Sequence, residues 1–188
     1  MKQNTCALVL AAGFSKRYGS DKRFSGQELL ILRTLKNICK TFDSIYLVHR
    51  YEDKKLISLL ENINIALIQA PSIDISLGTS ISVGIQQIKK SAIMYESCAI
   101  FLADMPNIKK KTITALQNIQ KKNLIVRAKY ENIVGHPVFF GNNFFEELCK
   151  IKNQEGANQV IKENKLSYKI LNVDDIGVIE DIDYPHEG

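Results

Sequence analysis

Apolar positions along this chain follow two rhythms. Cys6-Ala7-Leu8-Val9-Leu10 is an unbroken apolar run closed by Gly13, the pattern of a strand buried on both faces. Cys98-Ala99-Ile100-Phe101-Leu102 repeats it, and shorter runs at 44–48, 65–68, 124–126 and 138–140 predict further strands. Between them the apolar spacing becomes helical. The stretches 29–40, 53–61 and 80–90 predict helices, the last with Ile81, Ile85 and Ile88 at i, i+4 and i+7. A helix beginning around Pro106 carries Ile113, Leu116 and Ile119 on one face, and 143–150 and 157–162 also read as helical. Strand–helix alternation predicts an α/β fold: a mostly parallel, Rossmann-like sheet with helices on both faces, in one domain spanning 1–188. Such sheets bind ligands beyond the carboxyl ends of their strands, where the strand order reverses. The segments just after the strands are therefore the places to look for chemistry.

Composition narrows the class. With 45% hydrophobic and 24% charged residues over 188 positions, the chain has an ordinary globular balance and excludes global disorder. No apolar run approaches the ~18 residues of a membrane span. The apolar stretch 6–12 is too short for a secretion signal, which predicts a cytoplasmic protein. Cys6, Cys39, Cys98 and Cys149 stand apart, at neither zinc-ligand nor redox spacing, and read as reduced thiols. The net charge of +5 fits an anionic small substrate. The lysines at 109–111 and 121–122 flank one predicted helix as solvated ends, without the basic stripe and interleaved aromatics of a nucleic-acid surface.

Four segments carry candidate chemistry. After the first strand comes Leu10-Ala11-Ala12-Gly13-Phe14-Ser15-Lys16-Arg17-Tyr18-Gly19-Ser20-Asp21-Lys22. Small residues at 11–13 let backbone N–H groups approach an anion. Ser15 offers a hydroxyl, Arg17 a bidentate fork and Lys22 a point charge, together a cradle for a triphosphate. The glycine spacing is neither that of a Walker A loop nor the Rossmann fingerprint. Asp104, in Leu102-Ala103-Asp104-Met105-Pro106, is placed either to ligate Mg²⁺ or to cap the following helix. Thr79 and Ser80 either cap the helix they open or face a nucleobase edge. Gly135-His136-Pro137 reads as a tight turn before a strand, with His136 either solvent-facing or on a phosphate. Near the C-terminus, Asp181 and Asp183 face the same way on an extended segment, and either offers a second metal carboxylate or forms part of a solvated acidic tail.

These segments, in this order, resemble the small nucleotidyltransferases of molybdenum-cofactor biosynthesis. The cytidylyltransferases are the nearest in motif and the guanylyltransferases are related. The resemblance runs from Leu10 to Pro185. It rests most on Leu10-Ala11-Ala12-Gly13 with Ser15, Arg17, Gly19 and Lys22. Leu102-Ala103-Asp104-Met105-Pro106, Gly135-His136-Pro137-Val138 and Asp181-Ile182-Asp183 follow, with Gly78-Thr79-Ser80-Ile81 similar to the base-side loop. It implies a nucleotide-diphospho-sugar transferase-like fold and transfer of CMP from CTP to the terminal phosphate of molybdopterin cofactor. It implies Arg17, Lys22 and Asp104 in catalysis, Leu10 to Gly13, Ser15, Thr79 and Ser80 on the nucleotide, and His136 toward the acceptor. Asp104 and Asp183 would hold Mg²⁺. Ala12 stands where the guanylyltransferases have Gly, which favours cytidine. Delivery of the product to a molybdoenzyme or a chaperone would require a transient protein partner. The sequence departs from the family at Gln154-Glu155-Gly156-Ala157-Asn158, where Gly-Asp-x-Gly-Ala-Arg is usual, and at Tyr184, where Thr is usual. Two other readings are a nucleotidyltransferase with a different nucleotide or phosphorylated acceptor, and a nucleotide-binding module without turnover.

Overall fold

The computed structural model describes residues 4–14, 19–73, 76–152 and 154–182. Its centre is a seven-stranded sheet built from β1 (Thr5–Leu10), β2 (Ile45–His49), β3 (Ala66–Gln69), β4 (Ser97–Leu102), β5 (Ile125–Tyr130), β6 (Ile133–Gly141) and β7 (Tyr168–Asn172), in the order β3-β2-β1-β4-β6-β5-β7. β6 runs antiparallel to both its neighbours, and every other pairing is parallel.

Alternation along β1 shows why its sequence is apolar throughout. Ala7 and Val9 face one layer, with Ile31, Leu35 and Ile38 of α1 (Leu30–Cys39), Leu56 and Leu60 of α2 (Lys54–Leu60), and Ile113 and Leu116 of α4 (Lys110–Ile119). Cys6, Leu8 and Leu10 face the other. That layer holds Ile81, Ile85 and Ile88 of α3 (Leu77–Lys90), Leu148 of α5 (Phe145–Leu148) and Val160 of α6 (Asn158–Glu163). With helices over both faces, each residue of β1 meets a packed layer. Cys6 and Cys98 lie opposite each other in β1 and β4, fully buried and free, whereas Cys39 is exposed. Among the described residues no helix is long and apolar enough to cross a membrane.

The differences from the expected elements have identifiable partners. α3 starts at Leu77 because Ser76 caps it, its Oγ accepting from the Thr79 N–H at 2.9 Å. α4 starts only at Lys110, with Lys109 at its N-cap, and Asp175, from far along the chain, binds its first turn. Asp175 Oδ2 accepts from the Lys109 N–H (2.9 Å) and from Thr112 Oγ1 (2.6 Å). Ile119, expected on the buried face of that helix, is 38% exposed at its end. The stretch 143–150 divides into a 3₁₀ turn, Asn142–Phe144, and the short α5. β5 and β6 form one long hairpin, so Gly135, His136 and Pro137 lie inside β6 and are not a turn before it.

Gly135 is required by packing. A Cβ there would fall 2.0 Å from the Val178 carbonyl oxygen, in the 3₁₀ turn Ile176–Val178. This contact lays the C-terminal segment across β6. Gly135→Ala is therefore expected to cost about 1–3 kcal/mol, the usual penalty of overpacking, and to loosen residues 176–182 first. Thermal denaturation with site-resolved hydrogen exchange checks it, and an unchanged melting temperature would contradict the close approach.

Candidate active site

β1 lies between β2 and β4, at the point where chain order along the sheet reverses. Leu10 is in register with Leu102, and the Ala103 N–H donates to the Leu10 carbonyl at 3.2 Å. On the other side the Ala11 N–H donates to the Val48 carbonyl at 2.8 Å. The loops after β1 and β4 thus leave the sheet side by side, over the crevice where such sheets take ligands.

Ala11 and Ala12 are buried, and Gly13 opens to solvent. A Cβ on Gly13 would meet nothing within 4 Å, and Gly13 is not among the glycines at positive φ. Neither packing nor backbone conformation demands glycine here. What it leaves is open space over the loop.

Across the crevice, Lys22 Nζ pairs with Asp104 Oδ2 at 2.7 Å. Lys22 opens a 3₁₀ turn, Lys22–Phe24, whose cap is Asp21. Asp104 is not a helix cap, since α4 begins six residues later under Asp175. Its second oxygen, Oδ1, is buried without a hydrogen-bond partner. A buried carboxylate oxygen left without a donor is costly, and a hard divalent cation would satisfy it. Asp104 therefore fits a metal ligand, although among the described residues no group of three or more His, Cys, Asp or Glu is gathered as a metal cage. One or two carboxylates plus substrate phosphates is the usual Mg²⁺ arrangement. The C-terminal segment ends beside it, with the Ile182 N–H donating to the Asp104 carbonyl at 3.0 Å. Ser15, Arg17 and Asp183 lie outside the described residues.

Thr79 and Ser80 sit in the first turn of α3, but neither caps it. Ser80 is buried, and its hydroxyl donates to the Ser76 carbonyl at 3.0 Å. Thr79 Oγ1 is 2.8 Å from Ser76 Oγ. A contact of Ser80 with a base would first have to break its bond to Ser76.

His136 is not solvent-facing. Its Nδ1 is buried without a hydrogen-bond partner, and the residue lines a cavity of about 80 Å³ with Leu10, Leu102, Arg127, Glu155 and Asn158. This cavity joins the carboxyl ends of β1 and β4 to the stretch 154–158, so His136 lines the same cavity as Glu155 and Asn158. Arg127 Nε donates to the Gly135 carbonyl at 2.7 Å. Burial, reinforced by the Arg127 charge, pushes the His136 pKa down to about 4, against the pull of an Ile100 backbone hydrogen bond and the Asp104 carboxylate. The ring is therefore neutral in the folded protein near pH 7. In the unfolded chain it protonates near its ordinary 6.5. Its contribution to stability is full above pH 6.5 and is lost as the pH falls toward 4, by about 3 kcal/mol in all. Denaturant titrations across that window should show the loss, and His136→Gln should flatten it; an equally steep profile in the variant would contradict the assignment.

A buried charge cluster, without a signature in the local sequence pattern, adjoins the first loop. Arg23, 4% exposed, is clasped by Asp21 and Asp53, and Arg50 bonds to Asp21 and to the Gly13 carbonyl. Burial alone would raise the Asp21 pKa, but bonding to Arg23 and the charges of Arg23 and Arg50 win and hold it low. Burial likewise opposes the charge on Arg23, and Asp21 and Asp53 more than restore it. The carboxylate partners of Arg23 lie two and thirty residues away, so only the 21–23 pair was visible locally.

With this geometry stands a family match. The profile of the MobA-like NTP transferase domain covers residues 7–168. The chain belongs to the MobA-like NTP transferase family. Its catalytic class is accordingly nucleotidyl transfer from a nucleoside triphosphate. The chain is also similar to the purine catabolism protein PucB of Bacillus subtilis (strain 168), 24% identical over 191 residues covering 96% of this chain and 92% of that one. Among solved structures it is similar to Rv0371c from Mycobacterium tuberculosis H37Rv, with a TM-score of 0.80, 20% identity and coverage of 98% and 94%. A manganese complex of that protein matches with a TM-score of 0.77, 18% identity and coverage of 95% and 94%. At these identities the structures establish a shared fold, a mostly parallel α/β sheet of the nucleotidyltransferase type.

Proposed function

We propose that this MobA-like enzyme transfers CMP from CTP to the terminal phosphate of molybdopterin cofactor and releases pyrophosphate. The observation that carries the reading is the Lys22–Asp104 pair, which joins the segment after β1 to the segment after β4 at 2.7 Å. The loop residues Leu10, Ala11, Ala12 and Gly13, with Ser15 and Arg17, receive the triphosphate. Thr79 and Ser80 lie toward the base. His136 and the stretch 154–158 face the acceptor, and Ala12 favours cytidine over guanosine.

The reaction asks for geometry and charge. An acceptor phosphate oxygen forms a bond to the α-phosphorus, and the bond from that phosphorus to the bridging oxygen of the departing pyrophosphate breaks in line with it. The nucleophile is already an anion, so no general base is needed. Lys22 and Arg17 hold the growing negative charge on pyrophosphate. Asp104, with Asp183 as second carboxylate, would hold Mg²⁺, which lowers the cost of charge on the phosphates. The Oδ1 of Asp104 left without a donor supports this placement, and the manganese complex of the Rv0371c protein is consistent with a divalent ion in this fold. We place the enzyme in the cytoplasm.

The replacements at 154–158 favour one second reading, the same chemistry on a different phosphorylated acceptor. Titration of the protein with CTP and with GTP in Mg²⁺, followed by pyrophosphate assays with molybdopterin cofactor and with sugar or alcohol phosphates, separates the two. CTP turnover with a sugar or alcohol phosphate alone would replace the acceptor and keep the mechanism. Binding of CTP with no turnover on any acceptor would indicate a binding module.

A further inference from the structure

The charge cluster behind the first-strand loop is placed to act on the site without touching substrate. Arg23 uses its whole fork: Nε and Nη2 donate to Asp21 (2.9 and 2.7 Å), Nη1 and Nη2 to Asp53 (2.5 and 3.2 Å), and Nη1 also to the Ala11 carbonyl (2.9 Å). Arg50 donates to Asp21 through Nη1 at 2.8 Å and grips the Gly13 carbonyl through Nε at 3.1 Å and through Nη2. Two arginines and two aspartates cancel in charge, so the cluster is no anion site. The donors not taken by the two carboxylates reach the carbonyls of Ala11 and Gly13 in the loop.

Two geometric consequences follow. A trans peptide points its N–H away from its C=O. Holding the carbonyls of Ala11 and Gly13 toward the arginines turns the N–H groups of Ala12 and Phe14 to the opposite side. Neighbouring side chains on a 3₁₀ turn also diverge by about a third of a turn. With Arg23 pinned inward on the turn Lys22–Phe24, Lys22 is carried outward to Asp104.

We propose that Arg23, locked between Asp21 and Asp53 and assisted by Arg50, is the positioning residue of this active site: it sets the peptide planes of 11–14 and aims the Lys22 ammonium across the crevice. The proposal rests on the assignment of that loop and Lys22 to the triphosphate.

A double-mutant cycle with hydrogen exchange tests it, using the full chain as Arg23→Gln, Lys22→Ala and the combination. Arg23→Gln is expected to slow pyrophosphate release about 10²-fold through kcat, the scale of a small misplacement of a catalytic group. In the Lys22→Ala background it should add little, because residues acting as a unit are not additive. In the ligand-free protein the amides of 11–14 should exchange faster while those of the β5–β6 hairpin do not. If Arg23→Gln does not fold, Asp53→Asn keeps the side-chain shape and removes one carboxylate charge, and the same pattern is expected on a smaller scale. Arg23→Lys should rescue only part of the rate, since the fork is lost. Losses that multiply in the double variant, or unchanged exchange at 11–14, would overturn the proposal. The exchange arm needs no nucleotide. Loosening at 11–14 in a protein that binds neither CTP nor GTP would thus uphold the clamp on the loop and refute only the triphosphate assignment.

Discussion

Asparagine in place of Asp104 is expected to lower nucleotidyl transfer by at least about 10²-fold in a protein that remains folded. The exchange preserves shape, so the carbonyl contact to Ile182 and the path of the chain are kept. What is lost is one negative charge, at the only described carboxylate that combines an ion pair across the crevice with a buried oxygen lacking a donor. The variant also makes a prediction of opposite sign. With one negative charge removed from the crevice, metal-free nucleotide should bind as well as in the parent or better, while the gain in affinity from added Mg²⁺ should disappear. Calorimetric titration with and without Mg²⁺ reads both effects. Parental turnover in the folded variant would remove Asp104 from the site.

Lys22→Ala is expected to produce a loss of similar size by a different route. The ammonium contributes a compact charge, and its removal leaves the Asp104 carboxylate in the crevice without that cation. Nucleotide should therefore bind more weakly both with and without metal, the reverse of the metal-free result for Asp104→Asn. Lys22→Arg is not expected to restore the rate, because a planar fork does not reproduce a point charge at the end of a four-carbon arm. Steady-state pyrophosphate release and metal-free binding, measured on both variants, separate the two roles. Equal and same-signed binding changes would contradict them.

The parts of the fold legible in the sequence were those in which one short segment meets one uniform environment. β1 and β4 are buried on both faces, so five consecutive apolar residues announced each of them. The helix bearing Ile81, Ile85 and Ile88 showed because one face alone is covered. β7 did not show. It is an edge strand, mostly exposed, and Tyr-Lys-Ile-Leu-Asn carries neither alternation nor a continuous apolar run. Its existence depends on pairing with β5. The inner half of β6 was obscured because Gly135 and Pro137 ordinarily signal turns. Here the glycine admits the backbone of Val178.

The same division holds for the site. Small residues after a buried strand, and an acid after another, were visible as local patterns. That Lys22 and Asp104, 82 positions apart, meet at 2.7 Å depends on the parallel pairing of β1 with β4. The capping roles open to Asp104, Thr79 and Ser80 went to Asp175 and Ser76, whose selection depends on where α4 and α3 are held. Arg23 directly follows Lys22, and no apolar run around it marks it as buried. Asp53, thirty positions on, makes it a buried strut, and nothing near either residue signals the other.

The most direct test of the central claim is pyrophosphate release from CTP and from GTP, in Mg²⁺, with and without molybdopterin cofactor. Release from CTP that requires the acceptor is the expected result. Absence of release from either nucleotide under all conditions, in a protein that binds CTP, would contradict it.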